Sequence, residues 1–285
     1  MNAKQDHQAS LVSITGKSNQ QLHLLANLYY EPIDPESVLS IIISLSHKPD
    51  VDGDTIYSTE TWCTSLDESD GGTLYVVSME GEMHVYRDES WHVLDLQAPN
   101  GLNSVWAAND NESFAVGLEG ERIHVRGDQF EVTRDNNRVR LNAVHGSSTA
   151  HVMAVGDHGL AFRFDGKQWH KVELPTNVNL LGVYCLAEDQ VLISGAGVLF
   201  RWDGDAWFDI EADGLNISDI AYWKKHFYLA CGSNGVYFLQ DDELVIKKEL
   251  TVYRLNSIGD RLFGVGNRMV TQFDGEGWWG GDLDI

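Results

Sequence analysis

Carboxylates crowd the tips between apolar runs in this chain: Asp67, Glu68 and Asp70; Asp110 and Glu112; Glu188 and Asp189; Asp203 and Asp205; Asp241, Asp242 and Glu243. Two carboxyls can cleave a glycosidic bond when they flank it at a fixed separation and a dry pocket keeps one of them protonated. The spacing here singles out no such pair. A set of carboxylates on one surface has another use, because its field attracts a cationic partner and turns anionic ones away. The formal net charge of −23 points the same way. It argues against binding bare nucleic acid or an anionic membrane, since both repel such a chain.

Other chemistry-bearing residues are placed less favourably. His145, His151 and His158 stand 6 and 7 residues apart, on a strand end, a second strand and a turn, so they are not expected to converge on a metal. Asp50-Val-Asp-Gly-Asp54 matches the opening of a calcium loop, but Gly53 comes too early and the bidentate Glu is missing. There is no P-loop, no G-x-S-x-G and no dinucleotide fingerprint. No catalytic residue, metal ligand or cofactor is therefore expected. Trp106, Tyr184 and Trp223 occupy or follow inner-strand positions and are candidate anchors, since Trp and Tyr dominate interface hot spots.

What positions these residues is a repeat. The stretch Leu141 to Leu174 holds four short strand-like runs joined by three turns, the pattern of an antiparallel meander. Its first run, Leu141-Asn-Ala-Val144, recurs as Leu102-Asn-Ser-Val105, Leu180-Leu-Gly-Val183, Ile217-Ser-Asp-Ile220 and Leu255-Asn-Ser-Ile258. Its second run ends at Gly156, matched by Ser78, Gly117, Gly195, Gly232 and Gly266 at intervals of 39, 39, 39, 37 and 34. The fourth run carries Trp169, matched by Trp91, Phe130, Trp207, Leu244 and Trp278. Three markers in one register, at a period near 40 with four strands per unit, describe propeller blades rather than helical repeats. Asp-Gly at 165, 203 and 274 is a favoured hairpin dipeptide, so D-G-x-x-W reads as architecture, not as a catalytic motif.

The units Ala154–Trp169 and Ser194–Trp207 resemble the blades of bacterial WD40/YVTN/BNR-like β-propellers, over roughly Trp62 to Leu283. The units lack the leading Ser and the Thr of the sialidase Asp box, and the G-H and W-D pairs of WD40 blades. The resemblance implies an all-β fold: a single propeller of four-stranded antiparallel blades over residues 1–285. Residues 56–285 give six regular blades. Residues 1–55 keep no register but hold three strand-like runs, so seven blades are favoured, with six plus an N-terminal extension as the alternative. In such a ring the first strands line the channel. The turns between strands one and two and between strands three and four share a face, and the carboxylates named above fall on it. The bland reading of those tips is turn chemistry, which favours Asp.

A hydrophobic fraction of 43%, with 9 Trp, 10 Tyr and 10 Phe, supports a packed core. Cys63, Cys185 and Cys231 are odd in number and show no C-x-x-C spacing, which suits buried thiols. The start of the chain has no apolar run behind a basic stretch, and no run of about 18 apolar residues occurs. A reduced, cytoplasmic setting is expected. The expected function is non-enzymatic protein binding. Acidity and blades free of enzyme motifs are similar to the immunity proteins of bacterial toxin–immunity systems, which implies a basic toxin, such as a nuclease, as partner. The alternatives are a carbohydrate-binding or carbohydrate-active propeller with a site in the channel, and an assembly factor or scaffold.

Overall fold

A computed structural model describes residues 8–18, 20–30, 37–45 and 53–283. They form seven antiparallel sheets, each built from one continuous segment of chain. The first sheet is β1 (Gln8–Ser18), β2 (Gln21–Tyr29), β3 (Leu39–Leu45) and β4 (Asp54–Thr59). The second is β5 (Cys63–Glu68), β6 (Leu74–Ser78), β7 (Glu82–Arg87) and β8 (Ser90–Asp95). The third is β9 (Leu102–Asn109), β10 (Glu112–Gly117), β11 (Arg122–Arg126) and β12 (Gln129–Thr133). The fourth is β13 (Leu141–Ser148), β14 (His151–Gly156), β15 (Ala161–Phe164) and β16 (Trp169–Val172). The fifth is β17 (Leu180–Ala187), β18 (Gln190–Trp202) and β19 (Trp207–Asn216). The sixth is β20 (Asp219–Trp223), β21 (His226–Ala230), β22 (Val236–Gln240) and β23 (Glu243–Lys248). The seventh is β24 (Arg254–Ile258), β25 (Arg261–Val265), β26 (Met269–Phe273) and β27 (Trp278–Asp282). The innermost strands touch in cyclic order, β1 to β5, β9, β13, β17, β20, β24 and back to β1. The result is a closed ring of seven blades around a channel.

The N-terminal segment is thus a full blade, and β4 carries it past residue 55 to Thr59. In the fifth blade the link after Gly195 shrinks to two residues. There β18 fills both middle positions: residues up to Gly195 pair with β17, and Val198 to Trp202 pair with β19.

Burial explains the residue types. Strands β6, β10 and β14 are covered on both faces by neighbouring blades, so they read as apolar runs without alternation. Outer strands such as β12 alternate, with Phe130 and Val132 facing the neighbouring blade. Trp169, Trp207 and Trp278 each join a cluster drawn from two adjacent blades. The glycine closing the second strand permits a close approach. A Cβ on Gly156 would lie 2.0 Å from the Arg140 carbonyl oxygen, where the next blade begins. In the Asp-Gly hairpins the aspartate caps its own turn: Asp165 accepts from the Lys167 and Gln168 N–H groups at 2.9 Å each. Asp203 and Asp274 do the same in their turns.

The asparagine in Leu-Asn-x-Val proves to be a latch between blades. Asn103 Nδ2 donates to the Leu141 carbonyl at 2.7 Å, and Asn142 Nδ2 to the Leu180 carbonyl at 2.9 Å. Asn256 Nδ2 reaches the Ile14 carbonyl at 3.0 Å, which closes the ring between last and first blades. A cluster holding Leu11, Ile14 and Leu24 of the first blade with Ile258, Phe263 and Val265 of the last seals the same seam. Among the described residues no strand is exchanged across it.

Candidate partner-binding face and channel mouth

Inner strands carry a second set of latches that faces the channel. A side chain on one blade accepts a backbone N–H from the inner strand of the next. Ser13 Oγ accepts from Leu66 (3.1 Å), Asp67 Oδ2 from Ala107 (2.8 Å), His145 Nδ1 from Cys185 (3.0 Å) and Asp219 Oδ2 from Leu255 (2.9 Å). Burial pushes the Asp67 carboxyl up to about 7, although N–H donors from Ala107 and Glu68 pull the other way. Asp219 is pushed up by burial as well, opposed by the Arg254 charge. Burial holds His145 down at about 4, so its Nδ1 keeps the lone pair that the Cys185 N–H needs. Tyr184 stacks on the His145 ring at 4.3 Å, and burial pushes its hydroxyl up to about 12.

At the end of the channel nearest the strand one–two turns lies a cavity of about 320 Å³. Asp67, Glu68, Asp70, Trp106, Tyr184 and His145 are among its walls. Glu68 Oε2 meets His23 Nδ1 at 2.8 Å, reaching back to the first blade. The turn beside it is pinned on both sides. Lys17 donates to the Gly71 carbonyl, and Ser69 Oγ donates to Asp110 Oδ1 at 2.5 Å.

The structure sorts the sequence candidates into three groups. Asp70, Glu188, Asp189, Asp205, Asp241 and Glu243 are exposed, and none of the ion pairs among the described residues engages them. Several are neighbours: Asp189 packs beside Gly204, and Arg201 forms a two-pronged pair with Asp242 at 3.0 and 2.9 Å. Apart from Asp70, on the second blade, these carboxylates lie at turns of the fifth and sixth blades, where Arg201, Lys224 and Lys225 also stand. A second group has internal partners. Asp110 takes Ser69, Asp203 caps its turn, and Glu112 meets His124 at 2.5 Å and Arg126 at 3.5 Å. The third group is corrected by packing. Asp67 and Glu68 turn into the channel wall rather than onto the exposed face. Trp223 is 5% exposed, wedged against Tyr228 and Phe273 under the Lys224 ammonium. Trp106 and Tyr184 are half-buried in the cavity wall.

His151 meets Ser147 Oγ at 3.0 Å, and His158 stands exposed on a turn at φ 58°, so the three histidines stay apart. Among the described residues no group of three or more His, Cys, Asp or Glu side chains is placed to hold a metal. Asp50 and Asp52 of the calcium-like run lie outside those residues. Among the described residues no helix is long and apolar enough to cross a membrane. The three cysteines are free and buried. Sequence reasoning missed His23, Lys17, Arg201 and Asp219. The first two lie in the segment without register, and the last two signal nothing until neighbouring blades are placed beside them.

Comparison with solved structures matches this ring throughout. RRP9 WD40 repeats align with a TM-score of 0.71 at 10% identity, over 93% of this chain and 91% of that one. The chain has the fold of a seven-bladed β-propeller. Virginiamycin B lyase from Staphylococcus aureus (TM-score 0.69, 9% identity, 92% and 96% covered) shares the fold. So does YCF48 bound to D1 peptide (0.67, 13%, 94% of each). No protein-family model matches. Among curated proteins the propeller is similar to Immune protein Tsi7 of Pseudomonas aeruginosa, 26% identical over 263 residues, covering 79% of this chain and 85% of that protein.

Proposed function

We propose that this propeller is an immunity protein: it binds a cognate toxin and neutralises it by occupying its surface, with no reaction of its own. The observation that carries this reading is the likeness to Immune protein Tsi7, which extends over most of both chains rather than over one blade. The exposed carboxylates of the fifth and sixth blades supply a physical means. Glu188, Asp189, Asp205, Asp241 and Glu243 present charge that the fold does not use, and a toxin that grips phosphates presents lysines and arginines. A basic nuclease domain is thus the partner that fits best. Burial of all three thiols suits action in the reducing cytoplasm of the producing cell.

The test is co-expression with a toxin domain sought among the neighbouring genes. Protection of the host, and co-purification of the two chains in a complex that weakens with added salt, are the expected results. Toxicity undiminished by the propeller, with no complex at low salt, would overturn the proposal.

A further inference from the structure

We propose that the cavity at the Glu68 end of the channel receives one cationic side chain, an arginine or a lysine, from the bound partner. This deepens the immunity reading and rests on it for the source of the cation. The first observation is an unmet carboxylate oxygen. The Glu68 side chain is 2% exposed, and while its Oε2 is bound to His23, its Oε1 is buried without a hydrogen-bond partner. A buried, half-served carboxylate is costly to fold and is accounted for if something arrives to complete it. Lys17, the nearby base on the rim, donates to the Gly71 carbonyl, and among the described residues the ion pair of Glu68 is with His23, not with Lys17.

The second observation is the company that Glu68 keeps. Asp67 and Asp70 share its end of the cavity with the rings of Trp106 and Tyr184. Carboxylates beside aromatic faces suit a guanidinium or ammonium on a thin apolar stem, since the charge meets the oxygens and the rings cover the rest. A volume of about 320 Å³ lies at the low end of ligand pockets, enough for one long side chain. Arg254 also lines the cavity, but it reaches the wall of the opposite mouth as well, near Asn267 and Ser218. Asp219, which lines the same cavity, feels its charge.

The experiment titrates the full chain with N-acetyl-arginine methylamide and with its neutral citrulline counterpart. Binding is followed by the NMR resonance of the Trp106 indole N–H, assigned by its loss in Trp106→Phe. The expected result is a saturable shift with the arginine probe and none with the citrulline probe. Glu68→Gln should weaken binding about tenfold, equivalent to about 1.4 kcal/mol. Asp70→Asn, a change on an exposed turn, should weaken it about threefold and serves as the deciding variant if Glu68→Gln fails to fold. Equal shifts from both probes, no shift from either, or unchanged affinity in a folded variant would overturn the proposal. A chain that captures the toxin yet ignores the arginine probe refutes the channel site alone. A chain that takes the probe but neither captures nor neutralises the toxin refutes the immunity reading alone.

Discussion

Replacing Asp67 with asparagine should change how stability depends on pH. The folded pKa of about 7 lies above the unfolded value near 3.8, so the folded state holds this proton more tightly. Asp67 therefore contributes stability that is fully present below pH 4 and is lost as pH rises through 7. Integrated from pH 5 to pH 9, that loss is at most about 3 kcal/mol; it is a ceiling because the residue keeps some contact with channel water. His84 and His145, both lowered to about 4 by burial, act in the opposite sense. Their stability is present above pH 6.5 and is lost as pH falls towards 4. A direct pH scan of the wild type would mix the two trends. The difference between wild type and Asp67→Asn cancels the histidines, since both chains carry them. Urea unfolding followed by tryptophan fluorescence at pH 5, 7 and 9 measures that difference. The wild type should lose about 2–3 kcal/mol relative to the variant across the series. Parallel curves would refute the reasoning, because they would mean that the carboxyl ionises as freely in the channel as in the unfolded chain.

Other outcomes follow from features of the ring. Asn142→Ala removes donors to the Leu180 carbonyl and to Asp157 Oδ1, and should cost about 1–2 kcal/mol in urea unfolding. Phe263→Ala hollows the core between last and first blades, where Phe263 is 0% exposed; a loss of about 3–5 kcal/mol is expected, with faster hydrogen exchange in β1 and β24 than in β13. Glu89→Gly should stabilise by about 1 kcal/mol, because Glu89 holds φ 60° in the β7–β8 hairpin, where glycine is unstrained; a calorimetric scan would show the gain as a higher Tm. Neutralising Glu188, Asp189, Asp241 and Glu243 together should slow association with the toxin about tenfold at low salt and leave little difference at high salt, as stopped-flow mixing would record.

The fold was legible because its markers are local. A glycine that permits close approach, an Asp-Gly hairpin and a tryptophan three residues later each act within a few positions, so they repeat in the sequence as they repeat in space. The fourth strand of the first blade escaped notice because Asp54–Thr59 carries none of them. The Leu-Asn pairs were visible as a pattern, but their purpose was not. Asn103 and Asn142 each bond to a carbonyl 38 residues on, a distance that has meaning only once one inner strand stands beside the next. The candidate surface was half legible for a related reason. Turn tips are exposed whichever way the blades pack, so Glu188, Asp189 and Asp241 sit where their positions in the hairpins imply. Whether a side chain beside a turn points outward or into the wall depends on the neighbouring blade, and that is what drew Glu68 to His23 and buried Trp223 against Phe273.

The seam between the last and first blades gives the ring an unusual freedom. Since each blade is one unbroken stretch of chain and among the described residues no strand is lent across the junction, that junction differs little from the other six. The order of blades along the gene is then a convention rather than a structural necessity. Joining the two termini and cutting at another inter-blade link yields a circular permutant that preserves every sheet. By the same logic a blade is a cassette: its exchange changes one sector of the rim while leaving the hydrogen-bonded ladders of its neighbours whole. One sector of the rim is thus open to change while the rest of the ring stays as it is.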